Sequence, residues 1–213
     1  MPEIRRLAEQ GDVSAALAYG SSLFSGRAVE PDRAGGRQWL EQAAGSGSVP
    51  AQRWLGIANL KGTLGRRDLD AADRHLRAAA RNDDGQALFY LGFMAEKGLR
   101  GKRDLYTAID FYERAAVVGL PYAQMRLGQL YAAGQGVDKD VSRAVKLYKA
   151  AAEAGYGPAQ TAYAHHLFQG VGVLQDYGRA WKWYQRGAGA GDAAAHNMIG
   201  YMLAQGVAVK QDA

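Results

Sequence analysis

The fold is decided by the stretch from Ala123 to Gly155, which reads AQMRLGQLYAAGQGVDKDVSRAVKLYKAAAEAG. Its first part places Ala123, Leu127 and Tyr131 four residues apart, and this spacing predicts an α-helix. Glycine then ends the helix, because glycine adopts the left-handed conformation of a helix end without strain. After the loop, Asp140 is placed to cap a second helix by accepting hydrogen bonds from its first amide groups. The stretch therefore predicts a helical hairpin.

The same hairpin recurs along the chain with a period of 36 residues and without insertions. Glycines, aspartates and alanines each keep this period over six copies. The series are Gly26, Gly62, Gly98, Gly134, Gly170 and Gly206; Asp32, Asp68, Asp104, Asp140, Asp176 and Asp212; and Ala15, Ala51, Ala87, Ala123, Ala159 and Ala195. This repetition accounts for the high glycine content, 28 of 213 residues, and predicts a solenoid.

Each repeat is expected to contain a first helix, such as Val13–Ser25 or Val49–Lys61, and a second helix behind the repeated aspartate. One hairpin cannot bury its apolar face alone, so we expect the hairpins to stack into a single all-α, right-handed solenoid domain over residues 1–213. Small residues such as Gly20 are expected to let the helices approach closely. The expected parts are a half repeat at 1–11, repeats at 12–47, 48–83, 84–119, 120–155 and 156–191, and an incomplete repeat at 192–213.

The repeated motif resembles the Sel1-like repeat, a relative of the tetratricopeptide repeat with a longer loop between its helices. The resemblance covers essentially the whole chain. The fourth repeat matches most fully, with Ala123, Leu127, Gly128, Tyr131, Gly134, Gly136, Val137, Asp140, Ala144, Leu147, Tyr148, Ala151 and Ala152. The loops Thr63–Arg67 and Leu99–Arg103 depart from the motif through basic residues, and Ala164 replaces a glycine. The resemblance implies a protein-binding adaptor or scaffold in a bacterial envelope, signalling or secretion-associated system.

If the hairpins stack as they do in the related repeat, the first helices line a concave face. Positions expected on this face vary between repeats, whereas packing positions do not, and this contrast favours a surface for a partner protein or peptide. Half-buried packing between repeats is the alternative interpretation. The predicted partner-binding residues are Phe24, Arg53, Ile57, Lys61, Phe89, Phe93, Lys97, Tyr122, Met125, Gln129, His165, Phe168, Asn197 and Tyr201.

A second candidate surface is basic. Ten basic and six acidic residues lie between Lys61 and Arg103, against a net charge of +5 for the whole chain. The cations expected on one edge, in consecutive loops, are Arg66, Arg67, Arg100, Lys102 and Arg103. This basic edge could bind nucleic acid or an anionic surface, although a solvated rim is the favoured interpretation. A structural spacer within a longer protein is a further alternative.

Catalysis is not expected from this sequence. The chain has no cysteine, which excludes thiolate metal sites and cysteine nucleophiles. His165 and His166 are adjacent, so on a helix they point about 100° apart and cannot chelate one metal as an i, i+4 pair would. The repeated aspartates are helix caps, and no glycine-rich loop ends in Gly-Lys-Ser/Thr. We therefore expect no catalytic residue, metal, cofactor or small-molecule substrate.

The compartment and the chain ends stay open at this stage. The stretch Met1–Gln10 lacks the apolar region of a signal peptide, which favours the cytoplasm for the chain as given; a trimmed exported protein would be periplasmic. The chain ends shortly after Asp212, where a second helix should begin. The last first helix is therefore expected to expose its inner face, and self-association through that face is a possibility the sequence leaves open.

Overall fold

A computed structural model describes residues 1–207 of the chain. Within that range it contains twelve α-helices and no β-strand, and no helix there is long and apolar enough to span a membrane. The helices are α1 (Pro2–Glu9), α2 (Val13–Ser25), α3 (Arg33–Gly45), α4 (Val49–Lys61), α5 (Leu69–Ala80), α6 (Gly85–Lys97), α7 (Leu105–Val117), α8 (Pro121–Ala133), α9 (Val141–Glu153), α10 (Gly157–Gln169), α11 (Tyr177–Gly189) and α12 (Ala193–Ala204).

The helices pack in the order in which they occur along the chain. The pairs α2 and α3, α4 and α5, α8 and α9, and α10 and α11 form hairpins, and neighbouring hairpins meet through pairs such as α3 and α4. From α2 onward, even-numbered helices are the first helices of the repeats and odd-numbered helices are the second helices. Consecutive hairpin packing confirms the predicted all-α solenoid.

The chain divides into two compact units. The N unit, Met1–Asp104, contains α1 to α6, and the C unit, Leu105–Ala213, contains α7 to α12. Within the N unit α4 contacts α6, and within the C unit α8 contacts α10, so first helices of successive repeats lie side by side in both. That arrangement brings their side chains onto common surfaces.

Aspartate side chains cap the helices as the sequence predicts. Asp32, Asp140 and Asp176 each accept a hydrogen bond from the amide three residues ahead, at 2.8–2.9 Å. Asp12 and Asp84 do the same before first helices, at 2.7 and 2.9 Å. Removing such a cap typically costs about 0.5–2 kcal/mol, so the repeated aspartates fix where the helices begin. Asp212 lies outside the described residues.

Glycines end the first helices, also as predicted. The left-handed residues that follow α2, α4, α6, α8 and α10 have φ between 61° and 73°, and they are Gly26, Gly62, Gly98, Gly134 and Gly170. Second helices are followed by glycines of positive φ, such as Gly47 at 90°. The second repeat has Asp83 at that position, with φ 50°, a conformation that aspartate tolerates better than most residues.

Small residues set the spacing inside the hairpins. A Cβ placed on Gly36 of α3 would lie 2.8 Å from the carbonyl oxygen of Gly20 in α2, so the two backbones are in direct contact. At the position of Gly20 in later repeats, Gly56 faces Leu76 and Gly128 faces the ring of Tyr148. The opposing large residues Leu40, Leu76 and Tyr148 occupy one repeated position and are buried. The close approach expected at these glycines is confirmed.

The last helix, α12, is packed differently. Gly200 stands at the position of Gly20, yet a Cβ there would meet no described atom within 4 Å. Leu203, at the position where Leu23 and Leu167 are buried, is 52% exposed. Within the described residues, the inner face of α12 is therefore exposed, as the sequence predicts. Self-association through this face stays a prediction.

The glycine contact gives a stability test inside one helix. Gly36→Ala should lower the free energy of unfolding by about 1–3 kcal/mol, because the added methyl group would force α2 and α3 apart. Gly45→Ala in the same helix is the matched control, since a Cβ there meets nothing within 4 Å and alanine favours the helix. Thermal and urea unfolding measure both changes. Equal effects of the two substitutions would contradict the close-contact explanation.

Candidate partner-binding clefts

A cleft of about 520 Å³, here called the N-unit cleft, lies on the first helices of the N unit. Most of its lining is contributed by α2 and α4, with one residue from α6. The lining residues are Leu17, Ser21, Phe24, Pro50, Arg53, Trp54, Ile57, Ala58, Lys61, Thr63 and Gln86. Aliphatic and aromatic groups predominate, so the cleft suits an apolar side chain of a partner.

Aromatic packing fixes the floor of the N-unit cleft. The ring of Phe24 meets that of Trp54 edge-on, with centroids 4.6 Å apart. The guanidinium of Arg33, at the start of α3, lies 5.6 Å from the centroid of the Phe24 ring. Edge-to-face rings and a cation over a ring face are both attractive arrangements. The floor is therefore held in place by contacts between neighbouring repeats.

An ion pair holds the wall of the same cleft. The guanidinium of Arg53 donates to a carboxylate oxygen of Asp84 at 2.6 Å. The other oxygen of Asp84 accepts from the amide of Ala87 and caps α6, so this one carboxylate joins two first helices. The ammonium of Lys61 lies 5.8 Å from the ring of Tyr90 on α6 and is exposed to solvent.

A second cleft, of about 560 Å³, lies within the C unit and is called the C-unit cleft. Residues of α8, α10 and α12 form most of it, and second helices reach it through two tyrosines. The lining residues are Met125, Gln129, Tyr148, Pro158, Thr161, Ala162, His165, His166, Tyr184, Asp192, Ala194, Asn197 and Met198. Apolar residues such as Met125 and Met198 stand here beside side chains that can form hydrogen bonds, and no lysine or arginine is among the lining residues, in contrast to the N-unit cleft.

Burial shapes the chemistry of the C-unit cleft. The hydroxyl of Tyr184 lies 3.3 Å from Nδ1 of His165, and burial raises the pKa of Tyr184 to about 12. Burial, followed by the neighbouring His166, lowers the pKa of His165 below its usual 6.5. Nδ1 of His166 lies 2.8 Å from the carbonyl oxygen of Val171, and its ring packs near that of Tyr148. His166 is half-buried and hydrogen-bonded. At neutral pH the phenol of Tyr184 and the imidazole of His165 are uncharged groups that can form hydrogen bonds with a ligand.

The clefts bring together part of the residues predicted to bind a partner. Phe24, Arg53, Ile57 and Lys61 line the N-unit cleft, and Met125, Gln129, His165 and Asn197 line the C-unit cleft. The other predicted residues lie on first helices outside both linings: Phe89, Phe93, Lys97, Tyr122, Phe168 and Tyr201. Partner binding by either group stays a prediction.

Phe168 has a packing role in the structure. Its ring lies 5.2 Å from that of Tyr177, at the start of α11, and 6.1 Å from that of Tyr201 on α12. The side chain is half-buried, so it joins helices of two repeats. For this position the packing interpretation is supported by direct contacts, and a substitution here would disturb the fold as well as a surface.

The predicted set omits several cleft residues, among them Trp54 and Tyr184. Trp54 occupies a position filled in other repeats by residues as different as Ala18, Tyr90 and Arg126, and that variation was the available signal. Tyr184 lies on a second helix, whereas the predicted residues all lie on first helices. Its body is buried, but its hydroxyl reaches the C-unit cleft, a placement that periodicity alone cannot reveal.

The basic edge is partly neutralised. The guanidinium of Arg100 pairs with Asp70 at 2.7 Å and with Asp73 at 2.8 Å, both on α5. Nε of Arg103 donates to the backbone carbonyl of Glu96 at 3.2 Å. The side chains of Arg66, Arg67 and Lys102 are exposed. The edge therefore has fewer available cations than its sequence implies. Among the described residues, no group of three or more His, Asp or Glu side chains could hold a metal ion.

Comparison with known proteins gives matches along the whole chain. A model of the Sel1 repeat family matches residues 13–48, 49–84, 85–116, 121–156, 157–192 and 193–213. The chain belongs to the Sel1 repeat family. Sel1 repeat proteins are generally non-catalytic scaffolds that mediate protein–protein interactions. No curated protein matches the chain.

Solved structures of bacterial Sel1 repeat proteins are similar to this chain. A protective antigen of uropathogenic Escherichia coli with an SLR fold is 29% identical, with a TM-score of 0.90 over 96% of this chain and 44% of its own. A Sel1 repeat protein of Oxalobacter formigenes is 31% identical, with a TM-score of 0.86 over 94% of this chain and 82% of its own. This Sel1 repeat chain thus spans less than half the length of the Escherichia coli protein.

The ion pair between α4 and α6 gives a second stability test. Arg53→Met should lower the free energy of unfolding by about 1 kcal/mol, because it leaves the nearly buried Asp84 without its cation. Arg37→Met is the matched control: its pair with Glu41 lies on one helix, is about half exposed, and should contribute less than about 0.5 kcal/mol. Urea unfolding at low salt measures both. A larger effect at Arg37 would contradict the proposed bracing of α4 against α6.

The lowered pKa of His165 predicts a pH dependence. The imidazole of His165 binds a proton more tightly in the unfolded chain than in the folded chain, so protonation of His165 favours unfolding. This loss of stability is absent well above pH 6.5, and it grows as the pH falls from 6.5 through the pKa of His165 in the folded chain. His165→Gln should therefore reduce the loss of stability between pH 8 and pH 5, measured by thermal unfolding. An unchanged pH dependence in this variant would refute the assignment.

Proposed function

We propose that this Sel1 repeat chain is a non-catalytic bacterial scaffold that binds a partner protein or peptide along the exposed faces of its first helices. The observation that carries the proposal is the position of the two clefts. In each unit a cleft forms mainly on first helices, where residues 36 positions apart differ in chemistry from repeat to repeat. Constant residues meanwhile occupy the interior.

The packing of the hairpins supports such a role energetically. First helices are held by caps, by glycine contacts and by ion pairs such as Arg53 with Asp84, none of which requires a partner. The chain therefore loses little conformational freedom when a partner binds, and most of the ordering cost falls on the partner. Aromatic groups such as Trp54 supply large contact areas of the kind that dominate protein interfaces.

The basic edge supports a second candidate function, the binding of nucleic acid or of another anionic surface. Arg66, Arg67 and Lys102 are exposed and support it. The pairing of Arg100 with Asp70 and Asp73 weakens it, because this cation of the edge already forms ion pairs within the chain. Binding through this edge would show a steep dependence on salt concentration, whereas binding in the C-unit cleft would not.

A matched pair of substitutions tests the proposal. Gln129→Arg places a large cation in the C-unit cleft, and Gln185→Arg makes the same change on an exposed position of α11, outside both clefts. In affinity capture from soluble and envelope fractions, we expect a partner retained by wild type and by Gln185→Arg to be lost with Gln129→Arg. Melting temperatures of the variants control for folding.

The possible outcomes separate the candidate functions. Loss of one protein with the cleft variant alone supports the C-unit cleft as part of the binding surface. If wild type, Gln129→Arg and Gln185→Arg retain the same proteins, the C-unit cleft is not part of the binding surface for those proteins. Nucleic acid in every capture, released by moderate salt, would favour the basic edge instead.

A further inference from the structure

The first helices of the two units differ at matching positions of the repeat. In the N unit, Ile57 and Phe93 stand where the C unit has Gln129 and His165. One turn further on, the N unit has Lys61 and Lys97, where the C unit has Ala133 and Gln169. At these positions the N unit thus combines apolar residues with cations, whereas the C unit has no lysine or arginine. Ile57 and Lys61 line the N-unit cleft, and Gln129 and His165 line the C-unit cleft, so the two clefts favour different ligands.

The charged residues that line the N-unit cleft are both cations. No aspartate or glutamate is among its lining residues, which include Arg53 and Lys61. The carboxylate of Asp84 lies beside it but is occupied on both oxygens, by Arg53 and by the amide of Ala87. The guanidinium of Arg33 sits over the ring of Phe24. The cleft therefore has an apolar floor and a cationic rim.

We propose that the N-unit cleft binds an acidic segment of a partner protein, with a bulky apolar side chain in the cleft and carboxylates beside Lys61. This inference rests on the proposed function and names the partner chemistry for one of its surfaces. A volume of about 520 Å³ lies within the range of about 300–1,000 Å³ typical of ligand clefts. It accommodates a side chain such as leucine or phenylalanine together with part of its backbone.

Lys61 is the cation best placed for the acidic flank. Its ammonium rests 5.8 Å from the ring of Tyr90 and is solvent-exposed, so a carboxylate can reach it without breaking an ion pair. Arg53, by contrast, is already held by Asp84. An exposed ion pair changes affinity by about two- to fivefold, so Lys61 should give a preference of about that size over a neutral ligand.

Four synthetic hexapeptides, blocked at both ends and carrying an uncharged dye, test the inference by fluorescence anisotropy. Three have Leu-Phe at the centre and two flanking residues on each side that are acidic, neutral or basic. The fourth keeps the acidic flanks around a Ser-Gln centre. We expect the acidic Leu-Phe peptide to bind about two- to fivefold more tightly than the neutral one, and the basic and Ser-Gln peptides to bind more weakly still.

Two charge-reversal substitutions test whether the preference for acidic flanks arises at the N-unit cleft. Lys61→Glu should remove the preference for acidic flanks, because the rim loses its free cation. Lys102→Glu makes the same change of charge in an exposed loop outside the cleft and should leave the preference unchanged. Both positions are exposed, so both variants should fold, and circular dichroism verifies this.

Each other outcome counts against the inference in a recognisable way. Equal binding of the acidic and neutral Leu-Phe peptides would overturn the acidic specificity while leaving the cleft as a binding site. Equal losses in Lys61→Glu and Lys102→Glu would assign the effect to the general charge of the unit. Displacement of the acidic peptide by a mixed-sequence oligonucleotide at equal concentration would replace the protein ligand with a phosphate one. Failure of all four peptides to bind would overturn the inference and also weaken the proposed function for the N unit.

Discussion

The contact between the two helices of a hairpin is the constraint on which the structure depends. At Gly20 and Gly36 two backbones touch, and in later repeats a leucine or a tyrosine of the second helix fills the space that a first-helix glycine leaves open. Interiors are packed closely enough that one added methyl group is felt. The glycine and its large opposing residue therefore fix the geometry of the hairpins that contain Gly20, Gly56 and Gly128.

Once packing is assigned to a few positions, the remaining positions of the first helices are free to vary. The N unit uses them for Phe24, Trp54 and Ile57 beside the cations Arg53 and Lys61, and the C unit for two methionines beside glutamine, histidine and asparagine. The same backbone thus presents apolar groups beside cations in one unit and apolar groups beside uncharged hydrogen-bonding side chains in the other. Diversity of ligand chemistry on one scaffold follows from this division between packing and surface positions.

The sequence predicted the helices, their caps and their glycine ends because these depend on residues close together in the chain. Asp140 and Gly134 each act on the turn beside them. The clefts were only partly predictable, because their linings depend on which side chains of different helices meet in space. The 36-residue period alone could not show that Arg100 is held by two aspartates of α5. Nor could it show that the hydroxyl of Tyr184 reaches a cleft or that Phe168 packs on Tyr177. Asp83 shows the converse, a non-glycine residue in a left-handed conformation that the repeat reserves elsewhere for glycine.

No described atom lies within 4 Å of a Cβ placed at Gly200, and this has a consequence for the C-unit cleft. Within the described residues α12 packs on α11 and leaves Leu203 half exposed, so the amides of α12 should exchange with solvent at a low opening free energy. Asn197 and Met198 of this helix line the cleft. A ligand held there would also hold α12 closed, and part of its binding free energy would appear as slower hydrogen exchange. Occupancy of this cleft and local order at that end of the C unit are thereby linked thermodynamically.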